Sequence, residues 1–325
     1  MGLGRVRTSD FIFGLRDPVA SLTAGLDIEM PFRQQRALAL DEALGSGAIT
    51  EADVARSVER IVATLLRFAS VYEHQPSLEV IGCEDHRALA REVSAASMVL
   101  LRNDGSLLPL DASAVVQVAV LGRLAAVRNL GDGGSSDVRS TRVVTMLDGL
   151  RSRFGADRVV HADNDASIAA DADVVVVVVG YTKDDEGECI DAAGASELVS
   201  TIFPPMDHPL LGAQVDWTPP APPATGDESI PVSALVTSRP ARSDDGQMAP
   251  GGDRTSLRLC DADEALIAAA TAVNANVVVV VVGGSAVVMP WTSSVRAVLM
   301  VWYSGVEGGT ALADVLAGDS EPAGR

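Results

Sequence analysis

The sequence predicts an α/β fold: a three-layer α/β/α sandwich around a mainly parallel sheet, preceded by a mostly helical segment over residues 1–80. Two observations predict it. Six consecutive valines at 174–179 run into Gly180 and then into an acidic turn, Asp184-Asp185-Glu186-Gly187-Glu188. A second run at 277–282 ends in Gly283-Gly284. Continuous apolar runs of this length mark strands covered on both faces. Each follows a segment rich in Ala and acidic residues that reads as a helix, and a helix-then-strand rhythm means parallel strands. Ligands of such sheets sit beyond the carboxyl ends of the strands, which is where the acidic turn falls.

The elements follow in order. Residues 17–24 and 33–44 carry apolar side chains at helical spacing. Thr50-Glu51-Ala52-Asp53 forms a capping box that starts a helix running through Phe68. After Pro76, a helix over 84–101 stops at Asn103-Asp104-Gly105, whose glycine supplies the positive φ that such a stop favours. Strands are expected at 115–121, around 158–161, at 174–179, 277–282 and 297–301, with helices between them. Residues 203–251 hold ten of the 16 prolines with many Ser, Asp and Gly and no apolar period, the composition of a long surface loop. The domain boundary falls near residue 80, giving segments 1–80 and 81–325.

Composition excludes several functions. The chain has 325 residues, 47% of them hydrophobic, enough for substantial cores. Its 25 basic and 44 acidic residues give a net charge of -19, which repels nucleic acid and anionic membranes. Cys83, Cys189 and Cys260 are too widely spaced for a disulfide framework or a paired metal motif and read as reduced thiols. His74, His86, His161 and His208 lack ligand spacing, so no metal site is expected, and no cofactor. The opening residues show no apolar signal-peptide core and no run reaches membrane-spanning length, so the expected location is the cytoplasm. Oligomeric state is not encoded in any pattern here.

Candidate sites compete. Gly131-Asp132-Gly133-Gly134-Ser135-Ser136 follows the first strand and could cradle a phosphate with its amides. It is not G-x-G-x-x-G, and no acidic ribose partner follows at the right distance, so a flexible turn or a sugar-binding turn fits better. The cluster at 184–188 has the plain reading of a solvated loop. Its place after a buried strand, beside Tyr181 and Gly187, also suits a carboxyl group serving as a general acid.

A series of ordered segments resembles the glycoside hydrolase family 3 β-glucosidases. They are Thr8-Ser9-Asp10-Phe11; Ala24-Gly25-Leu26-Asp27-Ile28-Glu29-Met30-Pro31; Arg91-Glu92 with the run from Val99 to Leu110; Gly133-Gly134-Ser135-Ser136; Gly252-Asp253-Arg254; Met289-Pro290-Trp291; and Trp302-Tyr303-Ser304-Gly305-Val306-Glu307-Gly308-Gly309. The resemblance covers nearly the whole chain apart from the proline-rich loop. It implies that residues 1–80 are the C-terminal remnant of a (β/α)8 barrel and that 81–325 form the family's α/β sandwich domain. It implies that Asp10 is the nucleophile, with Phe11 where Trp is more usual. Glu188 in Gly187-Glu188-Cys189-Ile190 is similar to the family's Gly-Glu-Gly-Tyr turn and is the implied acid/base, with Glu186 the alternative. Gly134, Ser135, Ser136, Asp253 and Arg254 are the implied substrate-binding positions.

The implied reaction is retaining hydrolysis of a terminal β-D-glucosyl or xylosyl residue of a carbohydrate substrate. One ionised carboxylate attacks the anomeric carbon while a protonated carboxyl about 5 to 5.5 Å away donates to the leaving oxygen. The earlier barrel strands of the family, with their Lys-His pair, have no counterpart in this chain, and both ends look cut. The expected activity is therefore much reduced, because positioning supplies a large part of a glycosidase's rate. The alternative function is a non-catalytic carbohydrate-binding or interaction module built from the sandwich.

Overall fold

The computed structural model describes residues 5–11, 14–30, 35–74, 76–131, 136, 138, 140, 142–188 and 251–324. Gly251 apart, the expected proline-rich loop lies outside the described residues. The chain divides into two compact units, Met1–Ser77 with Asp191–Pro219 and Leu78–Ile190 with Pro220–Arg325.

In the first unit, strand β1 (Thr8–Phe11) pairs in parallel with β2 (Ile28–Met30). Between them lies helix α1 (Pro18–Thr23), whose first turn is capped by Asp17 accepting the amides of Val19 and Ala20 at 2.9 and 2.8 Å. Helices α2 (Gln35–Ser46), α3 (Glu51–Arg67) and α4 (Ala69–Glu73) follow. The Thr50–Asp53 capping box starts α3 as the sequence suggested. Leu22, Ala43 and Ile49 form a small core. The stronger tie is polar. Asp27, 5% exposed, accepts from the Arg60 guanidinium, from Ser57 Oγ at 3.0 Å and from the Arg7 amide at 3.0 Å.

The second unit is built on a six-stranded sheet ordered β3-β8-β7-β6-β4-β5. Its strands are β3 (Val99–Asn103), β4 (Val118–Leu121), β5 (Val159–Ala162), β6 (Val174–Gly180), β7 (Val277–Val282) and β8 (Ala297–Met300). All neighbours are parallel except β3, which runs antiparallel to β8. Val174, Val176, Val178, Val278 and Val280 face one core with helices α5 (Glu84–Ser97), α6 (Met146–Phe154) and α9 (Gly308–Ala317). Val175, Val177, Val179, Val277, Val279 and Val281 face the other, against helix α8 (Asp261–Val273). Both faces are dry, so every position of β6 and β7 is apolar and no alternation appears.

Two expectations change at the edges. The helix expected over 84–101 ends at Ser97, and Val99–Asn103 is the antiparallel edge strand. Met98, extended at φ -63 and ψ 145, turns the chain out of the helix without glycine or proline, and its side chain is fully buried. Gly105 has the positive φ expected, but it closes a turn after β3 rather than a helix. The strand expected from 115 begins at Val118, because the amides of Val116 and Gln117 bond the Asp173 carboxylate at 2.7 and 2.9 Å instead of a strand partner.

Helices α6 and α9 touch backbone to backbone through two glycines. A Cβ on Gly309 would lie 1.9 Å from the Thr145 carbonyl, and one on Gly149 would lie 1.9 Å from the Gly309 carbonyl. An ordinary helix gains up to about 1 kcal/mol when glycine becomes alanine. Here the sign is expected to reverse: Gly309→Ala should cost about 2 to 3 kcal/mol, since the helices must separate. Urea unfolding followed by tryptophan fluorescence reads this directly, and an unchanged midpoint would contradict the packing.

Candidate active site

The acidic turn is assembled where three parallel strands end. After β6, Thr182 opens the one-turn helix α7 (Lys183–Glu186) with a capping box: its hydroxyl accepts the Asp184 amide at 3.2 Å, and Asp185 accepts the Thr182 amide at 2.9 Å. This rotates Glu186 towards the ends of β7 and β8. Glu186 Oε1 accepts the Gly284 amide at 2.5 Å and the Tyr303 hydroxyl at 2.8 Å, and Oε2 lies 3.0 Å from Arg254 Nε. Gly284 follows β7 and Tyr303 follows β8, so one carboxylate links three strand ends.

Arg254 is itself held from several sides. Its guanidinium carbon stands 4.3 Å from the centre of the Tyr181 ring, and its terminal nitrogens bond Ser285 Oγ and the Ala286 carbonyl. Tyr181 is buried and donates its hydroxyl to the Arg258 carbonyl at 2.9 Å. Burial raises the Tyr303 pKa far above the usual phenol range, reinforced by its hydrogen bond to Glu186, so Tyr303 stays a neutral donor. Asp263, from the first turn of α8, accepts the Gly180 amide at 3.0 Å; burial raises its pKa, with that amide and Arg123 opposing.

The Gly251-Gly252-Asp253-Arg254 segment lies directly on this turn. The Gly252 amide bonds the Lys183 carbonyl at 2.9 Å and the Gly251 amide bonds the Glu188 carbonyl at 3.2 Å. A Cβ on Gly252 would fall 1.9 Å from the Asp184 carbonyl, so only glycine lets the two backbones meet. Glu188 is half-buried at the end of this contact, Arg254 is half-buried and Asp253 is exposed. Among the implied site residues, the structure thus brings together Glu186, Glu188 and Arg254. Ser136 is exposed, and Gly134 and Ser135 lie outside the described residues.

Asp10 belongs to the other unit, exposed on β1. Ser9 Oγ donates to the Asp10 carbonyl at 2.8 Å and accepts the Met30 amide at 2.9 Å, tying β1 to β2 beside it. Gly14 turns back onto the same residue: a Cβ there would lie 2.6 Å from the Asp10 nitrogen. The residues that sequence reasoning passed over are Tyr303 and Gly284. Their signal was positional, since each stands within three residues of the end of an apolar strand, but nothing in the local sequence says that both reach the same carboxylate. Among the described residues, no His, Cys, Asp and Glu side chains group as a metal site and no helix is long and apolar enough to cross a membrane.

Fold and site together define a sandwich domain, covered on both faces, that displays carboxylates at the ends of its parallel strands. The chain belongs to glycosyl hydrolase family 3: the family's C-terminal domain matches residues 98–208 and 221–325. It is 30% identical to a beta-glucosidase of Rhizobium radiobacter, with 100% of this chain and 52% of that protein covered. It is 28% identical to an exo-alpha-(1->6)-L-arabinopyranosidase of Bifidobacterium longum, over 95% of this chain and 35% of that protein. The crystal structure of the family 3 beta-glucosidase of Bifidobacterium adolescentis superposes with a TM-score of 0.61 at 25% identity, covering 98% of this chain and 39% of that one. The chain therefore spans about a third to a half of the length of these proteins.

Proposed function

We propose that the chain supplies both carboxylates of a retaining glycosidase acting on terminal non-reducing β-D-glucosyl or xylosyl residues, with Asp10 as nucleophile and Glu188 as acid/base. The observation that carries this reading is the engagement of Glu186. All three of its partners among the described residues are donors, which suits a group that only accepts, and it serves as an anchor rather than a proton donor. Proton transfer to the leaving oxygen is assigned to Glu188, two residues on in the same turn, whose backbone carbonyl accepts the Gly251 amide at 3.2 Å. Arg254, bound to Glu186, supports the sugar side of the turn through its neighbour Asp253.

Turnover by this polypeptide alone is proposed to be weak: it spans 52% of the Rhizobium relative, and positioning of the substrate supplies a large part of a glycosidase's rate. The test is release of nitrophenol from aryl β-glucoside and β-xyloside by the purified chain. Slow turnover with a preference between the two sugars supports the hydrolase. A folded chain that binds glucose in calorimetry yet releases no nitrophenol would replace it with the sugar-binding reading.

A further inference from the structure

Trp302 is held at φ +56°, in the left-handed region that a bulky side chain rarely adopts. Its indole N–H donates to the Ser97 carbonyl at 3.0 Å, which fixes the residue in that conformation. The next residue is Tyr303, whose hydroxyl reaches Glu186 at 2.8 Å. A strained residue immediately before a half-buried, neutral phenol, and that phenol on the same carboxylate oxygen as a backbone amide, is an arrangement that packing alone does not require.

Resting on the assignment of Glu188 as acid/base, we infer that Tyr303, Glu186 and Arg254 form a clamp that positions the 182–188 turn, with Tyr303 as a positioning residue for proton transfer. The clamp works from three directions. Tyr303 comes from the end of β8, Gly284 from the end of β7, and Arg254 from the segment lying on the turn, all meeting on a side chain that α7 itself supplies. Glu186 is only 11% exposed and the Arg254 side chain 12%, so water competes little for these bonds. Lys183 and Asp184, the outward side of the same short helix, pair with each other at 2.6 Å and are exposed. Immobilising Glu186 therefore fixes the direction in which the chain leaves α7 through Gly187 to Glu188, and a misplacement of about 1 Å at a reacting group costs up to roughly 10²-fold.

The test compares Tyr303→Phe with the unchanged chain on two aryl β-glucosides. Dinitrophenolate leaves without a proton; phenolate needs one. If Tyr303 positions the acid, kcat/KM for the phenyl substrate, which reports the first step, should fall by about tenfold or more, within the roughly 10² to 10⁴ that a general acid contributes, while kcat/KM for the dinitrophenyl substrate stays within about twofold. Glu186→Gln should give the same leaving-group dependence, and the double variant no more than the larger single loss. Hydrogen exchange on residues 182–188 is read in parallel, with faster exchange expected in each variant and unchanged exchange in β6. A chain with no turnover would remove the hydrolase reading and leave the clamp to be decided by exchange alone. Equal losses in kcat/KM on both substrates, or, where there is no turnover, unaltered exchange in the turn, would overturn the clamp.

Discussion

Asp10→Asn is expected to abolish aryl β-glucoside turnover, by about 10³-fold or more. An amide cannot form the glycosyl ester that a carboxylate nucleophile forms, so the loss falls on the chemical step for every leaving group. Ser9 Oγ ties the strand to β2 and Gly14 turns back onto it, so the unfolding midpoint, measured alongside, separates lost chemistry from lost fold. Glu188→Gln should differ in kind. It removes a proton donor, so phenyl glucoside should lose about 10² to 10⁴ while the dinitrophenyl substrate retains most of its first-step rate. Wild-type rates in Asp10→Asn would end the assignment of the nucleophile, and equal losses on the two substrates in Glu188→Gln would end that of the acid.

Arg60→Met is expected to cost the first unit about 3 to 5 kcal/mol, the usual penalty for leaving one partner of a buried ion pair alone. Asp27 is 5% exposed and accepts from Arg60 Nε at 2.9 Å on one oxygen, with Ser57 and the Arg7 amide completing its shell. Burial pushes its pKa up, but the Arg60, Arg7 and Ser57 hydrogen bonds outweigh burial and hold it below the usual value. A depressed folded-state value means that this group's stability is fully present above the unfolded carboxyl pKa of about 3.9 and is lost as pH falls from there through the folded-state value. Amide protection in α3, taken relative to the intrinsic exchange rate at each pH, should therefore be insensitive to Asp27 at pH 5 to 7, fall below about pH 4, and be low throughout in Arg60→Met. Slow exchange in the variant at neutral pH would show that the small Leu22, Ala43 and Ile49 core suffices without the pair.

The sheet was legible because its central strands are covered on both faces, which writes an uninterrupted valine run into the chain. The edge was not. Val99-Leu100-Leu101 continues the apolar spacing of α5, and only the burial of Met98 and pairing with β8 decide that the chain leaves the helix there. Strands β1 and β2 were missed because segments of four and three residues are too short to show a period. The site divides the same way. The acidic turn declared itself by following β6, and the family resemblance supplied Gly252-Asp253-Arg254. Their direct contact joins positions that are more than sixty residues apart in the chain, and Tyr303 comes from a third strand end. Such convergence depends on strand order, which no local pattern records.

The pairing of β6 with β7 sets valine against valine at five successive positions, from Val175 opposite Val277 to Val179 opposite Val281. Read as an alignment code, those letters are blank: sliding one strand past the other by two residues restores the same contacts, so the strands' interiors cannot choose their own phase. The choice is made at the ends. Gly180 lies opposite Val282, with room for no side chain, since a Cβ there would fall 1.9 Å from the Val282 carbonyl, and the Tyr181 amide closes on that same carbonyl at 2.9 Å. A slipped sheet would keep its dry core and still deliver Glu186 one notch away from Gly284 and Tyr303. Alignment and chemistry are thus written in the same few residues, and Gly180→Ala is a change whose first casualty is the address of the carboxylates rather than the burial of the valines.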